Sequence, residues 1–183
     1  MTDKELLFIE VDTISDGLLR DFVKEVLENK TPDAFWTIPA SSSGKHHPEQ
    51  SNGEGGLVRH ILAGLYFVRE FCIAYSADES EKDICIASMI LHDIGKAIAE
   101  PHDIVLTRQL SWMLKDNYDT YGISMTVNAV RWHMGKWSTG STDGYEPGNR
   151  KFPEDFSRIE QIVHLADYAA SRKRVNLTKL GGL

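Results

Sequence analysis

Apolar residues recur at intervals of three and four positions along most of the chain, which is the spacing of an α-helix that buries one face. The first clear stripe is made by Ile14, Leu18, Leu19, Phe22, Val23, Val26 and Leu27. Five further helices are predicted on the same grounds, at residues 57–75, 79–97, 104–117, 123–132 and 155–172. No stretch alternates apolar and polar residues as a half-buried strand would, so the pattern predicts an all-α fold.

Length and composition predict one cytoplasmic domain. A chain of 183 residues, 42% apolar and 26% charged, is long enough for a sizeable core and suits a single domain over residues 1–183. The longest apolar run, ICIASMIL, is too short to span a bilayer, and the acidic start, MTDKELLFIEVD, lacks the basic residues that open a signal peptide. Cys72 and Cys85 lie within apolar helical patterns, so we expect reduced core residues rather than a disulfide.

The charge balance bears on the class of ligand. The net charge is −7, whereas a general nucleic-acid binder needs a basic surface. A small anionic substrate stays compatible with this charge, because a cluster of cations or a metal reverses the sign of the potential within a cleft. The charge therefore favours a small anionic molecule as the partner, with a nucleic acid as the less favoured alternative, and the sequence leaves the oligomeric state open.

Two segments between predicted helices are unusually long for a compact helical domain. They read TIPASSSGKHHPEQSNGEGG, at residues 37–56, and GKWSTGSTDGYEPGNRKFP, at residues 135–153. Long loops of this kind often carry function, and a plain surface loop is the alternative. We expect both loops to lie around the functional site.

A carboxylate interrupts the apolar face of the last predicted helix. Asp167 lies beside Ala166 and one turn after Val163, at the edge of the buried stripe. An unpaired charge in that position is very expensive. We therefore expect a cation beside Asp167, either an arginine or lysine side chain or a metal ion.

A histidine and an aspartate end the next apolar segment. His92 and Asp93 follow ICIASMIL and precede Gly95, and glycine commonly ends a helix. The partial negative charge of a helix C-terminus favours a cation, and adjacent helical side chains diverge by about 100°, which leaves room for a metal between the two. Lys96 follows His92 by four residues, so we expect it on the same side, beside any anion that the metal holds.

Three more histidines stand beside buried positions. His60 adjoins an apolar stripe and is flanked at four residues by Gly56 and Gly64, which permit the close approach of a backbone or a ligand. His133 and His102 lie near the ends of other predicted helices. For each histidine alone, a satisfied core residue is the alternative to a metal ligand.

Four of these polar residues taken together indicate a metal site more strongly than any one of them alone. Three separate predicted helices place polar side chains at or beside a buried stripe, at His60, His92, Asp93 and Asp167. Two imidazoles and two carboxylates suit Fe, Mn, Co, Ni or Zn. The expected cofactor is therefore a divalent transition metal.

The order His60, His92-Asp93, Asp167 resembles the H…HD…D series of the HD superfamily of metal-dependent phosphohydrolases. HDIGK is a particularly characteristic form of its central motif. GGLVRH with KHHP before it, and WHMGKW followed by VHLAD, are similar to segments of HD-domain exoribonucleases of the bacterial 3′-to-5′ type. The resemblance covers about residues 46–172.

This resemblance implies a helical bundle whose central helices hold a divalent metal through His60, His92, Asp93 and Asp167. Some members of the superfamily hold two metals, with two additional histidines between the HD pair and the last aspartate. His102 and His133 occupy that interval here. If both are ligands, Asp93 bridges the two ions.

The implied reaction is the hydrolysis of a phosphate ester, of a nucleotide or a related molecule, by a metal-activated water. Asp93 and Lys96 are the expected catalytic residues, with Lys96 on the phosphoryl group or the leaving oxygen. The loops offer further candidate substrate contacts, for which a solvated loop is the alternative, at Lys45, His46, His47, Arg150 and Lys151.

Smaller expectations concern one more histidine and two tryptophans. His164 either orients a neighbouring carboxylate or packs, and Trp132 and Trp137 are expected to pack in the core rather than to stack on a base.

Two other functions are alternatives to a phosphohydrolase. A di-iron oxygenase is one alternative, because some HD-fold proteins hold two irons. A non-catalytic nucleotide-binding module is the other, and the full ligand set together with Lys96 disfavours it.

Overall fold

The computed structural model describes residues 1–41, 44, 47–98, 102, 106–111, 120–137 and 151–173. These residues form seven helices: α1 (Asp3–Asp12), α2 (Gly17–Glu25), α3 (Gly56–Ala74), α4 (Glu79–Leu91), α5 (residues 106–111), α6 (Tyr121–Trp132) and α7 (Arg158–Ala170). No β-strand occurs in this part of the chain, which confirms the predicted all-α class. None of the described helices is long and apolar enough to cross a membrane.

Side-chain caps fix where three of the helices begin. Thr2, Asp78 and Ser157 precede α1, α4 and α7, and each accepts a hydrogen bond from the backbone N–H three residues later. A glutamate at that later position accepts in return from the backbone N–H of the cap, which satisfies a second donor. The pair at Thr2 starts α1, a helix that the apolar period alone did not predict.

Two predicted helix starts shift for the same reason. Asp16 caps α2, so the buried Ile14 lies in the connection before the helix rather than within it. α7 begins at Arg158 and not at residue 155, because Ser157 caps it after a 3₁₀ turn, Pro153–Asp155. By contrast, the predicted helix at residues 57–75 agrees with α3 to one residue at each end.

The end of α4 forms the turn that carries the HDIGK segment. The helix stops at Leu91, before the predicted end at residue 97, and a 3₁₀ turn, Ile94–Ala97, follows. A Cβ atom at Gly95 would lie 2.3 Å from the backbone oxygen of His102. Only glycine permits this approach, which brings His102 against the end of α4.

The core is centred on α3, α4 and α7, which pack against one another. A Cβ atom at Gly64 would lie 2.1 Å from Met89 Cε, and one at Gly56 would lie 2.2 Å from the carbonyl oxygen of Ser51. The predicted approach of a backbone is therefore present at Gly56, whereas the neighbour at Gly64 is the side chain of Met89. Cys72 and Cys85 are buried and free, as expected.

Candidate metal centre

Helix ends and two central helices bring all six predicted ligands into one cluster. His60 lies in α3 and Asp167 in α7, whereas His92 and His133 are the C-terminal caps of α4 and α6. Three groups have ligand atoms that all lie within 4.8 Å of one another: His60, His92 and Asp93; His92, His133 and Asp167; and Asp93, His102 and His133.

Asp93 lies between two pairs of histidines. Its Oδ2 atom lies 3.2 Å from His92 Nε2 and 3.7 Å from His60 Nε2. Its Oδ1 atom lies 3.4 Å from His102 Nε2 and 3.7 Å from His133 Nε2. A carboxylate whose oxygen atoms face separate imidazole pairs is suited to be a ligand shared by two ions.

Asp167 joins the first pair of histidines from the opposite helix. Its Oδ1 atom lies 3.0 Å from His60 Nε2 and 3.6 Å from His92 Nε2. Of the two kinds of cation expected beside it, no arginine or lysine forms an ion pair with it among the described contacts. Because its side chain is 24% exposed, Asp167 marks the accessible edge of the cluster.

Backbone carbonyls orient two of the imidazoles. His92 Nδ1 lies 2.8 Å from the carbonyl oxygen of Met89, and His133 Nδ1 lies 2.6 Å from that of Val130. Because a carbonyl oxygen only accepts, each Nδ1 must donate, and this leaves each Nε2 for a metal. His164 Nδ1 in turn donates to the carbonyl oxygen of His133, at 2.7 Å, so His164 positions a backbone and not a carboxylate.

The hydrogen bonding of the cluster fits a metal ligand set. His47 Nδ1, His60 Nδ1 and His92 Nε2 are buried and have no hydrogen-bond partner among the described residues. Buried polar atoms are rarely left in this state. Since His92 Nε2 also lies between two carboxylates, a cation is the partner that its surroundings favour. The nitrogen and oxygen donors of the cluster suit Fe, Mn, Co, Ni or Zn.

Charges within the cluster shift the pKa of its members. Burial lowers the pKa of His92, but Asp93 and Asp167 outweigh it and raise that pKa to about 10. Burial and the neighbouring His92 lower the pKa of His133 to about 3. Burial raises the pKa of both aspartates, yet the adjacent histidines hold each pKa well below its usual range. The ionised carboxylates and the neutral imidazole of His133 are forms that bind a divalent metal, whereas His92 would release a proton when the metal binds.

Lys96 reaches the cluster from the turn that follows α4. Its Nζ atom lies 2.6 Å from Asp93 Oδ2 and 3.3 Å from the carbonyl oxygen of Ala40. The sequence placed Lys96 on the helical face of His92. The helix ends before Lys96, but the 3₁₀ turn brings the ammonium group to the same cluster.

The candidate substrate contacts separate into three cases. His47 lies beside the cluster, with its ring centroid 5.2 Å from that of His60, and burial together with His60 lowers its pKa to about 4. Lys151 instead contacts the buried Glu160, at 2.5 and 2.7 Å from its two oxygen atoms. The remaining predicted contacts lie outside the described residues, at Lys45, His46 and Arg150. All five roles stay predictions.

Arg59 fixes the first long loop beside the cluster, a role that the sequence did not suggest. Its guanidinium group donates to the carbonyl oxygens of Gln50, at 2.6 Å, and Glu54, at 2.7 Å. It also lies 2.9 Å from Asp3 Oδ2. These contacts tie the loop that carries His47 to α3. The sequence signal for this role was the position of Arg59 directly before His60 in GGLVRH.

A cavity of about 400 Å³ opens beside the cluster, between the end of α6 and α7. His133 and Asp167 contribute to its wall, as do Trp137, Tyr168 and Arg172. Trp137 is 53% exposed, so the expected core packing of this residue is wrong. The sequence did not suggest a function for Tyr168 or Arg172. The sequence signal for a role near the site was their closeness to Asp167, which Tyr168 follows by one residue and Arg172 by five.

Fold and site together define an all-α protein with a histidine and aspartate centre suited to metal. The family model of the HD domain matches residues 57–171, which include all six clustered residues. The chain therefore belongs to the HD-domain family, whose members are generally metal-dependent phosphohydrolases. No curated protein and no solved structure matches the chain.

Proposed function

We propose that this chain is a metal-dependent phosphohydrolase that cleaves a phosphate ester of a nucleotide or a related molecule. The observation that carries the proposal is the arrangement around Asp93, whose two oxygen atoms face two separate imidazole pairs in a chain of the HD-domain family. Such a centre suits phosphoryl transfer, which depends on charge neutralisation more than on covalent catalysis.

Two ligand sets would hold the metal. His60, His92, Asp93 and Asp167 would hold one ion, and Asp93, His102 and His133 would hold a second. A divalent ion in this position supplies a water nucleophile at neutral pH and neutralises charge on the phosphoryl oxygen atoms.

The chain's own residues prepare the reaction. The carbonyl oxygens of Met89 and Val130 hold the imidazoles of His92 and His133 in one orientation, so no reorganisation is needed as charge develops. Lys96, whose side chain is 23% exposed, places an ammonium group at the edge of the cluster. There it contacts the phosphoryl group or stabilises the leaving oxygen.

A small nucleotide is a better substrate for this chain than RNA. The likeness of GGLVRH and HDIGK to exoribonucleases favours a phosphodiester, but the net charge is −7, and long nucleic acids are held mainly by basic surfaces. RNA binding would have to fall steeply as salt rises. Hydrolysis of mononucleotides would depend on salt much less.

Metal content is the first test. The protein is purified without added metal and analysed for its elements beside Asp93→Ala. Asp83→Asn is the control, because Asp83 is a buried aspartate of α4, the helix that ends just before His92 and Asp93, and it accepts hydrogen bonds from the backbone N–H groups of Ser15 and Asp16. We expect one or two equivalents of transition metal in the native protein and in the control, and loss in Asp93→Ala.

Nucleotides and phosphodiesters are then screened with the ion that the protein retains. Release of phosphate or nucleoside that is absent in Asp93→Ala supports the proposal. A protein that binds none of Mn, Fe, Co, Ni and Zn overturns it. Mixed-valence iron without ester hydrolysis would indicate the oxygenase alternative, and metal and nucleotide bound without turnover would indicate a binding module.

A further inference from the structure

We propose that Trp137, Tyr168 and Arg172 form a subsite for the base of a nucleotide, beside the metal centre. This inference rests on the proposed function, since it assigns the part of the substrate that does not react. All three residues line the cavity whose wall also includes His133 and Asp167. A molecule in this cavity therefore lies directly next to the cluster.

Tyr168 and Arg172 offer a preformed stacking surface. The guanidinium carbon of Arg172 lies 3.5 Å from the centroid of the Tyr168 ring. Arg172 Nε also donates to the carbonyl oxygen of Tyr168, at 3.4 Å, which holds the group in place. Tyr168 keeps 41% of its surface exposed. A planar guanidinium group and an aromatic ring both stack on nucleobases.

Trp137 adds a second aromatic surface from a different part of the chain. It lies in the 3₁₀ turn Gly135–Trp137 that follows α6, whereas Tyr168 and Arg172 belong to the end of α7 and the residues after it. A large aromatic residue that is 53% exposed and faces a cavity is better suited to bind a ligand than to fill the core. The indole and the Tyr168–Arg172 pair thus reach the same space from two elements.

The size and position of the cavity favour one nucleoside. Its volume of about 400 Å³ lies within the range of sites for small ligands. Asp167 precedes Tyr168 directly and belongs to the metal cluster. A phosphate on the cluster would therefore leave the sugar and base to extend along the end of α7. Base stacking is tolerant of sequence, so we expect a preference for nucleotides over base-free phosphate esters.

Calorimetric titration with AMP and with ribose 5-phosphate tests this subsite, because the second probe has the sugar and phosphate but no base. The metal-containing protein is used, and phosphate release is monitored; if either probe is hydrolysed, both are replaced by their phosphonate analogues, in which carbon replaces the ester oxygen. The native protein should bind AMP about tenfold more tightly, the effect of one stacked base. In Tyr168→Leu and Arg172→Met the two probes should bind within about twofold of each other.

Two further variants separate stacking from a general effect on the fold. Tyr168→Phe keeps the ring and should keep the preference for AMP. Arg131→Met removes another arginine that stacks on an aromatic ring, since its guanidinium carbon lies 4.7 Å from the centroid of Trp132, and it should also keep the preference. Metal content is measured in every variant, because Tyr168 is next to a ligand.

The outcomes distinguish this inference from the proposed function. Equal binding of AMP and ribose 5-phosphate by the native protein, absence of binding, or a preference that survives both Tyr168→Leu and Arg172→Met overturns the subsite. If no phosphate ester is hydrolysed but the preference for AMP is present and lost in these variants, the subsite stands and the hydrolase fails. If base-free esters are hydrolysed as well as nucleotides, the hydrolase stands and the subsite fails.

Discussion

Glu160 and Asp93 are both 1% exposed, and each contacts a lysine ammonium group, but their other neighbours differ. Glu160 accepts hydrogen bonds from Lys151, from Asn128 Nδ2 at 2.7 Å and from the backbone N–H of Ser157 at 2.7 Å. The protein itself supplies every donor that this carboxylate needs. Such a buried carboxylate is a structural group that ties α7 to its surroundings.

Asp93 receives one comparable contact, from Lys96, and otherwise faces imidazole nitrogens at 3.2 to 3.7 Å. These distances mostly exceed those of good hydrogen bonds, and His92 Nε2 is left without one. The hydrogen-bond network of Glu160 is therefore complete within the protein, whereas an added cation would complete the network of Asp93. The predictions below test that difference.

The largest effect is expected where a cluster carboxylate is neutralised without a change of shape. Asp167→Asn removes the charge that faces His60 and His92. We expect loss of bound metal and a fall of at least about 1,000-fold in kcat/KM, which is about 4 kcal/mol of transition-state stabilisation. Steady-state hydrolysis and elemental analysis of the same preparations measure both.

Glu160→Gln is the matched control for this change, since it also neutralises a carboxylate of α7. Its metal content should equal that of the native protein, and kcat/KM should stay within about threefold. A loss of metal in Glu160→Gln, or metal and activity retained in Asp167→Asn, would contradict the distinction between the two networks.

The next effect concerns the lysine of the cluster. Lys96→Met keeps the length of the side chain but removes the ammonium group that contacts Asp93. We expect kcat to fall about 100-fold, equivalent to about 2.7 kcal/mol, while the metal stays bound. Lys82→Met is the control, because Lys82 pairs with Glu79 at the exposed start of α4. If Lys96→Met lost the metal or kept full activity, the lysine would not act on the substrate.

The sequence predicted the parts of the fold in which apolar period and burial coincide. α3 is such a part, because its stripe continues through the buried Leu57, Ile61, Leu65 and Val68. α1 was missed because its start depends on the capping pair of Thr2 and Glu5, which an apolar pattern does not register. The end of α4 was placed too late because the apolar pattern continues through Ile94 and Ala97, and that pattern does not register the close approach of His102 to Gly95.

The candidate ligands could be predicted for a similar reason. His60, His92 and Asp167 interrupt or border apolar stripes, where a polar group needs a partner, and the structure brings them together. The partners of charged residues outside such stripes could not be predicted. Glu160 has the sequence context of a helix cap, and nothing local shows that Lys151 and Asn128 converge on it from other elements.

Removal of the Glu160 carboxylate should affect stability and not the metal. Glu160→Ala leaves the ammonium group of Lys151 and the amide of Asn128 without their acceptor. Because Lys151 is 30% exposed and can turn to solvent, we expect a loss of about 2 kcal/mol in the free energy of unfolding, less than for a fully buried pair. Urea titration measures this loss.

The same titration checks whether the two networks are independent. Metal at about 100 times its Kd should stabilise the native protein by about 2.7 kcal/mol, and Glu160→Ala should gain as much. Asp167→Asn should gain none. A smaller gain in Glu160→Ala would show that the structural network holds the ligands in place.

The smallest effect on stability is expected for Lys151. The sequence predicted that this lysine contacts the substrate, whereas in the structure it contacts Glu160. In Lys151→Met the buried carboxylate keeps its contacts with Asn128 and Ser157, so we expect a loss of only about 1 kcal/mol in the free energy of unfolding. KM for the substrate should not change. A rise in KM without loss of stability would mean that Lys151 leaves Glu160 to bind phosphate. The second long loop would then contribute to the site as the sequence predicted, because the ammonium group that binds Glu160 in this structure would bind an anion instead.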